Sequence, residues 1–84
     1  MKTVLLRGDE LTHENLAQAF GFPEYYGGNL DALHDCLTEI GCDTAVIAAD
    51  MDRANEMGRR IYEVLRDSAG ENPHLSLYIA TQIA

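Results

Sequence analysis

Thr44-Ala45-Val46-Ile47-Ala48 is an uncharged run rich in β-branched side chains, bounded by Asp43 and Asp50. A short continuous run of this kind predicts a buried strand. Its neighbours decide how it pairs. Upstream, Leu30, Leu33, Leu37 and Ile40 recur at helical spacing, so a helix is expected from about Asn29 to Ile40, closed by Gly41. Downstream, Met57, Ile61, Val64, Leu65 and Ser68 mark the inner face of a helical stretch beginning at Asp50 or Asp52. Glu56–Arg60 and Arg59–Glu63 are favourable i,i+4 pairs on its outer face, and Gly70, Asn72 and Pro73 stop it. A strand with a helix on each side joins its neighbours through crossovers, which favours parallel pairing.

Further out, Thr3-Val4-Leu5-Leu6, closed by Gly8, and His74 to Ala80 read as the other two strands. Between the first strand and the Asn29 helix, Thr12 is placed to cap another helix, with Leu11 and Leu16 at staple positions across the cap. Leu16 and Phe20 share its inner face and Gly21 ends it. Residues 21–29, Gly-Phe-Pro-Glu-Tyr-Tyr-Gly-Gly-Asn, are expected to form an irregular turn, because Pro23 bars Phe22 from helical geometry and Gly27-Gly28 permits a tight bend. Of its two tyrosines, Tyr26 is expected inward and Tyr25 outward. Thr81 to Ala84 form a tail. The order β-α-α-β-α-β predicts one α/β domain over residues 1–84 with three parallel strands.

The chain has 84 residues, 14 acids against 6 bases, and a formal charge of −8. That balance argues against nucleic acid and anionic membrane as partners, since both are polyanions, and suits a basic partner. The excess is also localised. No Lys or Arg occurs between Arg7 and Arg53, while Asp9, Glu10, Glu14, Glu24, Asp31, Asp35, Glu39, Asp43, Asp50 and Asp52 all fall there. Cys36 and Cys42 form no disulfide framework, no secretory leader is visible, and no apolar run has the length of a membrane span. A cytoplasmic protein, monomeric when free, is expected.

Asp31, Asp35 and Glu39 repeat at i, i+4, i+8 along the second helix. Each like-charge pair costs roughly 0.2–0.5 kcal/mol, and an acid near a helix C-terminus adds a few tenths. A solvated face explains many such runs, but solvated helices usually alternate sign, as the last helix here does. A bare acidic ridge beside an aromatic turn suits an interface for a cationic protein.

Residues 22–38, Phe-Pro-Glu-Tyr-Tyr-Gly-Gly-Asn-Leu-Asp-Ala-Leu-His-Asp-Cys-Leu-Thr, resemble the signature of the barstar family of intracellular ribonuclease inhibitors. The match is close over about a fifth of the chain and is followed by agreement in element order. The resemblance implies a small three-stranded parallel sheet packed with about three to four helices. It implies one-to-one occlusion of the basic active site of a barnase-like ribonuclease by the second helix and the loop before it. Asp35 would then be the central plug, its carboxylate in a phosphate site. Tyr25 would pack near the catalytic histidine, Asn29, Asp31, His34, Thr38 and Glu39 would surround the plug, and Asp67 would reach the same surface from the last helix. His34 stands where the family pattern has tryptophan and Glu39 where it has glycine. The segment between the second strand and the last helix is shorter, so a separate helix there is expected to be reduced or missing.

Other chemistries are less well supplied. Asp31-x-x-His34-Asp35 has the spacing of metal ligands on one helix face, but no second ligand set accompanies it, and no metal or other cofactor is expected. Gly27-Gly28-Asn29 follows no strand, and Asp31 would repel a phosphate there. His34 and Cys36 face apart on a helix, so a nucleophile–base pair is not formed and catalysis is not expected. An acidic adaptor binding another basic protein without inhibiting it is the alternative.

Overall fold

The computed structural model describes residues 1–23 and 26–80. Three strands, β1 (Lys2–Arg7), β2 (Thr44–Ala49) and β3 (Leu75–Ala80), form one parallel sheet in the order β1-β2-β3. The register runs straight across, with Leu5 beside Ile47 and Ile47 beside Tyr78. Three helices, α1 (His13–Phe20), α2 (Leu30–Thr38) and α3 (Glu56–Glu71), complete the fold. Two right-handed crossovers stepping the same way put every helix on one face of the sheet. Burial follows. Val4, Leu6, Val46, Ala48 and Leu75 pack into the core, while Leu5 and Tyr78 of the opposite face are 49% and 55% exposed. The core is closed from the helix side by Leu16 of α1, Leu33 and Leu37 of α2, and Ile61 and Leu65 of α3.

Each helix begins on a side-chain cap. Thr12 Oγ1 accepts from the Asn15 N–H at 3.1 Å, Asn29 Oδ1 from Ala32 at 2.8 Å and Asn55 Oδ1 from Gly58 at 2.8 Å. Gly21 closes α1 in the left-handed conformation, φ 69°. The start expected for α3 at Asp50 or Asp52 is corrected. Asp50 itself takes a left-handed conformation, φ 51°, and Met51–Arg53 make a single 3₁₀ turn before Asn55 caps the helix. That turn is all that stands between β2 and α3. Met57, expected inward, is exposed and borders the depression at the start of α2, because it flanks the inner stripe of Gly58, Ile61, Leu65 and Ser68 instead of lying in it. α2 stops at Thr38 instead of Ile40, and of the two expected α3 pairs Glu56–Arg60 forms at 2.9 Å, whereas no Arg59–Glu63 contact lies within 4.0 Å.

Gly8 carries the close approach between the end of β1 and the β2–α3 connection. A Cβ there would lie 2.5 Å from the Asp50 carbonyl oxygen and 2.8 Å from the Ala54 nitrogen. Both obstacles are backbone, which cannot rotate away. Gly8→Ala is expected to destabilise the fold by about 2–3 kcal/mol. The measurement is the urea midpoint, and an unchanged midpoint would show that the two turns separate freely.

Candidate functional site

The exposed side of α2 is bounded by the turn before it and by α3 beside it. α2 and α3 run in the same direction. Their N-terminal ends meet around a shallow depression shared by Asn29 and Met57, and their C-terminal ends are joined by Asn72. The Asn72 side-chain amide donates to the Leu37 carbonyl at 3.0 Å and the Ile40 carbonyl at 2.9 Å. α2 has no basic residue in its last turn, so the buried amide of Asn72 satisfies carbonyls that a helix end leaves open.

The acids expected as one ridge divide between two concavities. Asp35 and Glu39 line a cleft of about 430 Å³ against the turn, together with Phe20, Phe22, Tyr26 and Cys36. Asp31 instead borders the depression at the helix start, with His13, Gly28 and Asn29. The physical reason is rotation. Residues four apart on a 3.6-residue helix drift by about 40° per step, enough over two steps to turn Asp31 away from Glu39. Asp31, Asp35 and Glu39 are all exposed, and among the described residues no cationic group lies within 4.0 Å of any of them.

The remaining candidates have mixed placements. Tyr25 lies outside the described residues. Asn29 spends its side-chain oxygen on the α2 cap. Thr38 Oγ1 is turned back onto its own helix, 3.0 Å from the His34 carbonyl and 3.1 Å from that of Asp35. His34 faces α3, with Nε2 2.5 Å from the Glu71 carboxylate. Asp67 is exposed one helical turn before Glu71 on α3. Glu71 and Asn72 were not singled out from the sequence as site-shaping residues. The i+4 spacing of Glu71 from Asp67 signals the first; nothing local signals the second.

The turn is held by aromatic contacts. Phe20 and Phe22 stack with ring centroids 5.6 Å apart, and Phe22 meets Tyr26 at 5.0 Å, tilted by 53°. The Tyr26 hydroxyl reaches His13 Nδ1 at 2.5 Å, tying the turn to α1, and Tyr26 is half-buried as expected in direction. Burial raises the Tyr26 phenol above its ordinary value of 10.0. It also raises the half-buried Cys36 thiol above 9.0, helped by the charges of Glu39 and Asp35. Both shifts favour the protonated form in the folded chain. Their stabilisation is complete below pH 9 and is lost as pH rises through the raised values. The urea midpoint is therefore expected to hold flat to about pH 9 and then fall, with Cys36→Ala removing the earlier part of the decline. A midpoint flat to pH 11 would contradict it.

Comparison with known proteins bears on this surface. The family model for Barstar, described as barnase inhibitor, matches residues 4–74, which takes in most of β1, all three helices and β2. The chain belongs to the barstar family. A curated relative, "Putative ribonuclease inhibitor YrdF" of Bacillus subtilis (strain 168), is 59% identical over 29 residues, 34% of this chain. The match spans about a third (32%) of that relative's length. The barstar fold expected from residues 22–38 is thus present, with three α-helices and a 3₁₀ turn in the β2–α3 connection. Among the described residues no His, Cys, Asp and Glu cluster suits a metal ion, and no helix is long and apolar enough to cross a membrane.

Proposed function

We propose that this barstar-family chain inhibits a barnase-like ribonuclease inside the producing cell, one to one, by covering the enzyme's basic active site with α2 and the turn before it. The observation that carries the reading is the pair of exposed, uncompensated carboxylates of Asp35 and Glu39 on a barstar-family α2. A carboxylate with no base of its own keeps its full attraction for the partner's cations. Asp35 acts as the plug at a phosphate-binding position. Tyr25, Asn29, Asp31, His34, Thr38 and Glu39 frame it, and Asp67 extends the acidic surface onto α3. The His34–Glu71 contact joins α2 to that part of α3. The chain performs no turnover, uses no cofactor, and acts as a monomer in the cytoplasm.

The test is a titration of barnase, following RNA cleavage at low and high salt. Stoichiometric inhibition that weakens with added salt is expected, because screening acts on the charges that steer and hold the complex. Binding without inhibition would favour the acidic adaptor. No binding at all would overturn barnase as the target class.

A further inference from the structure

We propose that the free edge of β3, with the groove between it and α3, receives an extended segment of another protein as a fourth strand, one that carries a carboxylate between two apolar side chains. β3 is an outer strand of the sheet, paired among the described residues with β2 alone. The carbonyls of His74 and Ala80 accept from the Thr44 and Asp50 N–H groups on the β2 side, at 2.8 and 3.3 Å. Backbone direction alternates along a strand, so Leu77 and Ile79, of the opposite parity, turn their N–H and C=O groups to the open edge. Natural sheets guard such edges with charge or proline. The other outer strand, β1, has Lys2 at one end and Arg7 at the other. β3 has neither device, and no Asp, Glu, Lys or Arg follows Glu71 in the chain. Tyr78 and Ile79 on this strand are 55% and 60% exposed.

Beside the edge lies a groove of about 380 Å³, with Tyr62, Arg66, Ala69 and Gly70 of α3 on one side and Leu77 and Ile79 among the β3 residues on the other. Because β2 and β3 are parallel, the helix between them runs antiparallel to β3. Tyr62 to Gly70 covers about 12 Å of helix and the β3 side of the groove about 13 Å of strand, so the walls match in length. An added strand sets alternate side chains toward the helix layer. One meets the bare backbone of Gly70, where a Cβ would have nothing within 4 Å, and has room to be bulky and apolar. The next meets Arg66, and the third meets Tyr62. Arg66 has Tyr62 and Gly70, not acids, one turn away on either side, and among the described residues no carboxylate lies within 4.0 Å of it. An unpaired guanidinium at a groove favours a carboxylate in the occupant. A second copy of this chain fits poorly. None of its strands holds an acid, and each copy has a formal charge of −8. The groove shares no residue with the two concavities beside α2, so the proposal does not rest on the ribonuclease reading.

The probe is the peptide acetyl-Ile-Thr-Glu-Thr-Ile-amide, titrated into the whole protein while NMR follows the backbone amides and the Arg66 Nε–H. Its pattern reads the same in either strand direction. Saturable shifts are expected at Leu77, Ile79 and Arg66, with slower solvent exchange of the Leu77 and Ile79 amides and no response along α2. The peptide with Lys in place of Glu should bind about fivefold or more weakly, and Arg66→Gln should weaken the Glu peptide by about three- to fivefold. Gly70→Leu fills the place kept for the bulky side chain and should weaken binding by about tenfold. It leaves the fold intact, since glycine is among the poorest helix formers. Unchanged backbone spectra away from the groove certify both variants. Shifts that never saturate, equal binding of the Lys peptide, or indifference to both variants would overturn the proposal. The same shifts on raising the protein concentration without peptide would assign the edge to a second copy and overturn it as well.

Discussion

Asp35→Ala is expected to weaken inhibition of barnase by a hundredfold or more, the largest loss for any single substitution on α2. Truncating one member of a buried, hydrogen-bonded charge pair costs about 2–5 kcal/mol, a range for which the barnase–barstar complex is itself the reference case. Most of that cost is the penalty of leaving the enzyme's cations desolvated and unpaired. Asp35 is placed for this role by position and by isolation. It stands mid-helix between Asp31 and Glu39, and nothing basic in the described chain competes for it. Asp31→Ala should cost less, since Asp31 borders a separate depression at the helix start. The measurement is the inhibition constant at low salt, with Asp35→Asn separating charge from shape. Equal loss for Ala and Asn would assign the effect to the charge. Wild-type inhibition by Asp35→Ala would refute the central role of α2.

Asn72→Ala is expected to destabilise the protein by about 3–4 kcal/mol, the largest effect on folding foreseen here. Its amide donates to the carbonyl of Leu37 in the last turn of α2 and to that of Ile40 just past it, and its oxygen accepts the His74 N–H at 2.9 Å. Each hydrogen bond contributes about 1 kcal/mol, and a buried group left without a partner costs about 1–3. The residue is 5% exposed, so water does not readily replace it. Asn72→Asp tests the mechanism. It retains the acceptor for His74 but turns the two donor contacts into repulsions with carbonyls, so it should be at least as damaging as alanine. A urea midpoint within error of wild type for both variants would show that the α2 end is satisfied otherwise. Loss of α2 anchoring should also blunt inhibition, because Asp35 and Glu39 are positioned by the same helix.

Several features of the fold are legible in the sequence. The cap at Thr12, the start of α2 near Asn29, the stop at Gly21 and the central strand depend on the residue and its near neighbours, and all are where local chemistry puts them. Met57 departs from the expected inner face because apolar periodicity does not separate the centre of a helical stripe from its flank, where Met57 lies beside Gly58, Ile61, Leu65 and Ser68. Asp50 does not start the helix because it takes a left-handed conformation, one that Asp tolerates better than most residues, in the turn that approaches Gly8.

The amino-acid order alone determined the β-α-α-β-α-β arrangement, the absence of bases along the middle of the chain, and the barstar signature at 22–38. These depend on composition, short-range propensity and the period of apolar residues. Tertiary structure alone decided which acids share a cleft, that His34 meets Glu71 and that Asn72 closes α2. Each of these depends on how α2 is rotated and shifted against its neighbours. That setting comes from packing Leu33 and Leu37 into the same core as Ile61 and Leu65, contacts between residues far apart in the chain.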